Sequence, residues 1–224
     1  MHIVFSGGGT GGHLFPGLAV ASELRARHPQ LQITFCGNGQ EFDREQVTAA
    51  GFAYRGFPCS PATRSLRGAW RFFRRYLRGT RLASAFLREQ AVTLVVGLGG
   101  YASVPVANAA LRQQVPLVLL EQNVVPGRAT RWLARRADFV CLSFDESRAK
   151  LPAAACLLTT GNPLRSAFAD VSPRRFPAEP RRLVVLGGSR GAADLNEHVP
   201  RALYKVRHAL PGWEIVHVCG TAPE

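Results

Sequence analysis

Five of the six residues from Gly7 to Gly12 are glycine, and they follow directly on the β-rich run His2–Ser6. A strand that empties into such a loop and then into a helical stretch has few folds open to it. Glycines at this position let backbone N–H groups come close to a phosphate at the N-terminus of the following helix. The remainder of the chain repeats the plan. Candidate strands at Gln32–Cys36, Leu94–Gly97, Leu117–Leu120, Phe139–Leu142 and Cys156–Thr159 alternate with candidate helices. The helices are predicted near Pro16–His28, Phe42–Ala50, Leu66–Arg88, Val104–Gln113, Arg128–Arg135 and Asp145–Lys150. Several strands are apolar throughout, as expected when both faces of a parallel sheet are covered. Alternating β and α therefore predicts an α/β protein with a doubly wound parallel sheet.

Two further glycine turns occupy the same place after a strand: Gly97-Leu98-Gly99-Gly100-Tyr101 and Gly187-Gly188-Ser189-Arg190-Gly191. Ligands in open α/β sheets bind at the C-terminal ends of the strands, so all three turns belong to the binding edge. Gly7, Gly9 and Gly12 satisfy the dinucleotide-binding spacing. However, the second strand ends on Cys36-Gly37-Asn38-Gly39, where that motif needs an acid. This argues against a nicotinamide-dependent dehydrogenase.

The texture changes after Asn162-Pro163. Residues 166–181 carry three prolines and an Arg174-Arg175 pair, and they read as a linker between a first domain at 1–165 and a second unit at 182–224. That second unit is too short to bury an adequate core by itself, so it is expected either to continue beyond Glu224 or to dock on the first domain. Ala91 to Leu111 has no charge and is long enough to span a bilayer, but its glycines and Pro105 read as strand, turn and helix instead. Met1 leads straight into the first strand without a basic stretch and an apolar core, so no signal peptide is read there. The five cysteines are odd in number and widely spaced, with no Cys-x-x-Cys pair, which suggests neither a zinc site nor a disulfide framework.

Lys plus Arg number 28 against 15 acids, a net charge of +13, and lysine occurs only at Lys150 and Lys205. Such a charge predicts an acidic partner. Arginine suits bidentate phosphate contacts. Within 64–88, Trp70, Phe73, Leu77, Ser84 and Leu87 follow helical spacing, and Arg71, Arg74, Arg75, Arg78 and Arg81 are assigned to the other side. This is a basic amphipathic segment of the kind that rests on anionic lipid, or a core helix with a solvated basic face. No nucleic-acid recognition motif or aromatic stacking platform accompanies the charge, so a nucleic-acid partner is not expected.

The run from Gly8 to Ala21, with Thr10-Gly11-Gly12-His13 at its heart, resembles the opening signature of the MurG family. Gly97-Leu98-Gly99-Gly100-Tyr101, Glu121-Gln122-Asn123, Gly161-Asn162-Pro163-Leu164-Arg165 and Gly187-Gly188-Ser189-Arg190-Gly191-Ala192 follow in family order. The resemblance implies a GT-B fold of two Rossmann-like domains, of which the second is incomplete here. It also implies an inverting transferase that moves N-acetylglucosamine from UDP-N-acetylglucosamine to lipid I, giving lipid II, in peptidoglycan synthesis. The enzyme would work at the cytoplasmic face of the inner membrane, on its anionic surface. A diacylglycerol glycosyltransferase and a non-catalytic binding module are the competing readings.

No Asp-x-Asp pair is present, so neither a metal nor another cofactor is expected. Departing UDP would be stabilised by helix N-termini, backbone N–H groups and cations. By resemblance, Thr10, Gly11, Gly12, Asn123, Arg165 and Ser189 would contact UDP-N-acetylglucosamine, and Tyr101 with Gly99 and Gly100 would face the acceptor. His13 is read as general base or as a partner of a sugar hydroxyl. Glu121 is read as a second candidate base or as a carboxylate that orders its loop. Tyr101 is read as an acceptor contact or as an ordinary packed tyrosine.

Overall fold

The structure, a computed structural model, describes residues 1–61, 65–153, 155–168, 171, 181–188 and 191–220. The chain divides into two compact units, Met1–Asp170 and Val171–Glu224. The sequence-predicted linker, 166–181, falls largely outside the described residues.

The first unit runs β1 (His2–Ser6), α1 (Gly11–Arg27), β2 (Gln32–Gly37), α2 (Glu41–Ala49), β3 (Ala53–Gly56), α3 (Leu66–Glu89) and β4 (Leu94–Gly97). It continues with α4 (Gly100–Arg112), β5 (Leu117–Glu121), α5 (Arg128–Leu133), β6 (Phe139–Leu142), a 3-10 turn at Asp145–Lys150 and β7 (Leu157–Thr159). The seven strands form one sheet in the order β3-β2-β1-β4-β5-β6-β7, with every pairing parallel. The chain winds outward from β1 to β3, then crosses back to lay β4 on the free side of β1. The strand order therefore reverses between β1 and β4. Ser6 pairs with Gly97, so both strands end level and the loops that begin at Gly7 and Leu98 emerge side by side.

Successive residues of a strand face opposite sides, and the core divides accordingly. Val4 and Val95 pack with Phe57, Phe86, Leu87 and Val106 on one face. Ile3, Phe5 and Val96 pack with Leu14, Leu18, Phe35, Val47 and Phe52 on the other. Phe5 and Phe35 stack at 5.0 Å and are fully buried, which contributes about 2–3 kcal/mol each.

Several sequence expectations change. Helix α4 starts at Gly100 rather than near Val104, with Gly99 at positive φ as its N-cap, and the helix predicted over Asp145–Lys150 is a 3-10 turn. Strand β3 has no apolar run and was not predicted; it is an exposed edge paired to β2. Helix α1 starts at Gly11 rather than near Pro16, because Thr10 is extended and its carbonyl accepts from the N–H groups of His13 and Leu14. His13 thus belongs to a helical first turn. Helix α3 does not separate apolar and basic sides as its spacing suggests. Its buried face is made of Gly79, Thr80, Ala83, Phe86 and Leu87, and Gly79 is required because a Cβ would fall on the Pro58 carbonyl. Trp70 and Phe73 are left exposed among the arginines. The charge-free stretch from Ala91 contributes β4 and α4, and no helix among the described residues is long and apolar enough to cross a membrane.

The second unit contains β8 (Arg181–Leu186), α6 (Ala193–Val206) and β9 (Trp213–Val218), with β8 and β9 parallel in full register. It is a β-α-β unit, as the sequence predicts.

Candidate functional site

The two glycine loops of the first unit interlock at the point where the strand order reverses. Gly7 is held with φ at +149°, and a Cβ there would stand 2.7 Å from Leu98 Cβ and 3.0 Å from the Gly99 carbonyl. No other residue fits that gap. Beneath the first loop lies Asp43 of α2, fully buried, whose two carboxylate oxygens share the Gly9 N–H at 3.0 and 2.9 Å. A Cβ on Gly8 would strike the same carboxylate. Asp43 therefore fixes the loop from below and consumes the Gly9 N–H. Gly11 and Gly12 keep their first-turn N–H groups without a partner among the described residues, and a Cβ on Gly12 would meet open space. Thr10 caps the helix by backbone conformation only, so its hydroxyl is uncommitted. The stretch from Thr10 to Gly12 is thus the part of the loop that can receive a ligand, at the positive end of a 17-residue helix.

Burial raises the Asp43 carboxyl above its usual range, and the Gly9 hydrogen bond opposes this in part. An acid whose folded value is raised adds stability that is complete below its unfolded value and lost as pH rises through the folded one. Asp43→Asn keeps an acceptor for Gly9 without the charge. The variant should therefore gain stability relative to wild type as pH rises through and above the ordinary carboxylate range. Urea unfolding of both proteins at each pH checks this, and a stability difference that does not move with pH rejects it.

His13 projects from the first turn of α1 across the loop after β4. Its Nδ1 lies 3.1 Å from Gln122 Oε1, just past the end of β5. Gly99 and Gly100, both at positive φ, run along its ring: a Cβ on Gly99 would stand 3.2 Å from Cε1 and Nδ1, and one on Gly100 would stand 3.9 Å from Nε2. Loops from β1, β4 and β5 thus converge on one imidazole. Glu121 is 2% exposed. Its Oε1 accepts from the Asn123 N–H at 3.0 Å and from Asn123 Nδ2 at 2.9 Å, and its Oε2 accepts from the Gly127 N–H at 3.0 Å. Both oxygens are engaged in folding the 121–127 loop. Asn123 is tied to that carboxylate, and its carbonyl accepts from Ser147 Oγ at 3.0 Å.

Tyr101, at the second position of α4, accepts from Asn38 Nδ2 at 2.9 Å, which links the second loop to the end of β2. On the same strand end the Tyr54 hydroxyl accepts from the Gly39 N–H, and burial pushes the Tyr54 phenol up to about 12. Arg165 returns over α1, with its guanidinium 5.2 Å from the Phe15 ring and 5.5 Å from the Phe168 ring. Ser189 lies outside the described residues. His13, Gly99 and Gly100 are therefore brought together. Tyr101, Arg165 and Asn123 are each held by separate partners.

Sequence reasoning passed over Asp43, Asn38 and Gln122 as individual site residues. Gln122 sits inside a quoted motif, and Asn38 stands at the place searched for an acid. Asp43 meets Gly9 across 34 residues, and no local pattern announces that contact.

A second feature is a groove of about 950 Å³ along α3. Arg71, Arg74, Arg75, Arg78 and Arg81 line it together with Trp70 and Leu82, and Asn38 stands at its edge. Arg74 covers the Trp70 ring at 4.6 Å.

A parallel doubly wound sheet, with glycine loops at its reversal point and a second β-α-β unit in the same chain, defines a Rossmann-like protein, and its structural relatives include GT-B glycosyltransferases. The chain belongs to glycosyltransferase family 28, whose N-terminal domain matches residues 3–142. Among its relatives is a protein of Pelobacter propionicus, 36% identical over 247 residues, covering 98% of this chain and 64% of the relative. Another, from Amoebophilus asiaticus, is 34% identical over 215 residues, covering 91% of this chain and 59% of the relative. Both are named UDP-N-acetylglucosamine–N-acetylmuramyl-(pentapeptide) pyrophosphoryl-undecaprenol N-acetylglucosamine transferase. The crystal structure of Acinetobacter baumannii MurG superposes with a TM-score of 0.72 at 27% identity, over 98% of this chain and 59% of that one. A kitacinnamycin glycosyltransferase structure, 14% identical with a TM-score of 0.66, shares the fold. The chain thus spans about three fifths of the length of the relatives it matches.

Proposed function

We propose that this protein transfers N-acetylglucosamine from UDP-N-acetylglucosamine to undecaprenyl-pyrophosphoryl-N-acetylmuramyl-pentapeptide, and that residues 1–165 form its acceptor and membrane side. The observation that carries the reading is the convergence of three loops on His13 at the sheet's reversal point, in a chain whose relatives bear that transferase name. Residues 182–224 would begin the UDP-sugar side, joined through the linker at 166–181.

In the proposed step, the acceptor hydroxyl oxygen attacks the anomeric carbon as its proton passes to His13 Nε2. The new carbon–oxygen bond forms on the face opposite the departing UDP, whose oxygen leaves with the electron pair. The uncommitted N–H groups of Gly11 and Gly12, the Thr10 hydroxyl and the Arg165 guanidinium supply donors for diphosphate oxygens. Asn123 and Ser189 complete the proposed donor contacts, and Tyr101, Gly99 and Gly100 the acceptor side. Glu121 serves the site by holding the loop that carries Gln122.

The test is transfer of labelled N-acetylglucosamine by the full-length protein, with lipid I and diacylglycerol offered in parallel. Label on lipid I alone supports the proposal. Label on diacylglycerol alone assigns a different lipid transferase, and label on neither rejects catalysis.

The acceptor is lipid-linked, so the protein must reach a membrane, and we assign contact with the cytoplasmic face to the groove along α3. Exposed Trp70 and Phe73 offer apolar insertion beside a bank of arginines. Each cation near an anionic surface adds about 1 kcal/mol, so replacing Arg71, Arg75 and Arg78 together with Gln should weaken binding to phosphatidylglycerol vesicles roughly 100-fold. All three residues are exposed, and the fold should be unaffected. Unchanged co-sedimentation at low salt would move the membrane contact elsewhere.

A further inference from the structure

We infer that Gln122 is a positioning residue that holds His13 as the Nδ1–H tautomer, so that the Nε2 lone pair faces the acceptor. The inference rests on the assignment of His13 as general base. Nδ1 lies 3.1 Å from Gln122 Oε1. An amide oxygen only accepts, so the ring nitrogen facing it carries the proton. With one proton on a neutral imidazole, Nε2 is left as the acceptor, which is the form a general base needs.

Two observations separate this bond from incidental packing. The other end of the amide, Nε2 of Gln122, is buried with no partner among the described residues. Among the described residues, His13 is thus the one hydrogen-bond partner of that side chain. A buried amide that leaves its own N–H groups unmet costs about 1–3 kcal/mol, and the flipped amide, which would donate to Nδ1 and leave the proton on Nε2, is the alternative that the tautomer measurement separates. The ring is also confined from the side. Gly99 passes so close to Cε1 and Nδ1 that a Cβ would stand 3.2 Å from each. On the opposite edge, a Cβ on Gly100 would stand no nearer the ring than 3.7 Å, and Nε2 has no hydrogen-bond partner among the described residues. The imidazole is thus engaged at Nδ1 and without a protein partner at Nε2 among the described residues.

The backbone of Gln122 is fixed in turn. The Glu121 carboxylate pins Asn123 and Gly127 on either side of the loop. The order of support therefore runs from the β5 end through Gln122 to His13. At metal centres, the loss of a partner that orients a ligating imidazole typically costs 10- to 100-fold, and the same scale is expected for an imidazole that must present one nitrogen as base.

The test uses the full-length protein with ¹⁵N-labelled histidine, the His13 signals being identified by their loss in His13→Gln. Wild type should show the proton on Nδ1, and Gln122→Glu, which keeps an acceptor oxygen, should do the same. Gln122→Met should show mixed tautomers. It should lower kcat roughly 10- to 100-fold with KM within about twofold, and Gln122→Glu should recover most of that loss. A wild-type proton on Nε2 overturns the inference, as does an equal kcat loss in both variants with the tautomer unchanged. Absence of transfer by wild type would reject the proposed function, and the tautomer would still be read independently of it.

Discussion

Changing His13 to Gln is expected to lower kcat by about 10²- to 10⁴-fold, the range that a positioned general base contributes. Removing the imidazole takes away Nε2, the ring nitrogen with no hydrogen-bond partner among the described residues. The Gln side chain is of similar length and stays polar, but it accepts protons far too weakly to serve as a base. KM for either substrate should change little, because the donor contacts assigned to Thr10, Gly11 and Gly12 are backbone and hydroxyl groups that His13 does not hold. Thermal unfolding should move by no more than a few degrees, since His13 is only partly buried and makes one side-chain hydrogen bond. Steady-state kinetics with UDP-N-acetylglucosamine and lipid I give the answer. A kcat within fivefold of wild type would remove His13 from the chemistry and return it to hydrogen-bonding a sugar hydroxyl.

Much of the first unit is legible in the sequence because its signals are local. The runs Leu94–Gly97 and Phe139–Leu142 are apolar, short and bounded by turns, and both are strands at those bounds. The edge strand Ala53–Gly56 has no such signal; its neighbour β2 creates it by pairing. The start of α1 is misread because glycine has low helix propensity and Pro16 reads as a first-turn residue. The extended conformation of Thr10 and the packing of Leu14 into the core prevail over that tendency. On α3, periodicity identifies Leu87 as buried but places Trp70 and Phe73 with it. The helix instead docks through Gly79 and Ala83, small residues that allow close approach and carry little hydrophobic signal.

The candidate site divides in the same way. His13, Gly99, Gly100 and Glu121 are recognisable because each sits in a strand-end turn of a quoted motif. Asn38 and Gln122 also stand at strand ends, but their roles, like that of Asp43, show only in what they touch, at separations of 63, 109 and 34 residues. A single sequence carries no record of such contacts. Chemistry-bearing side chains at the ends of strands are therefore readable, whereas the groups that hold them are not.

The role of Glu121 separates two readings of one residue, and the expected result of Glu121→Ala is a loss of about 3 kcal/mol of stability together with a fall in kcat. Three N–H groups converge on its two oxygens at 2.9–3.0 Å, and the residue is 2% exposed. Alanine leaves the Asn123 and Gly127 N–H groups without their acceptor, each costing about 1–3 kcal/mol less whatever water entering the space restores. The loop then loosens and Gln122 loses its support, so His13 should lose orientation as well. Glu121→Gln is the sharper probe. Its amide can keep one oxygen towards Asn123, but its NH₂ then faces the Gly127 N–H, donor against donor. A residue that orders the loop should therefore lose stability in this variant too, with kcat and the urea midpoint falling together. A base would show a further effect: Glu121→Gln would lower the urea midpoint by the same amount, yet lose kcat by at least a hundredfold. Measuring both quantities on both variants decides between the two. A kcat lowered more than a hundredfold in Glu121→Gln, with His13→Gln near wild type, would transfer the proton-accepting role from His13 to Glu121.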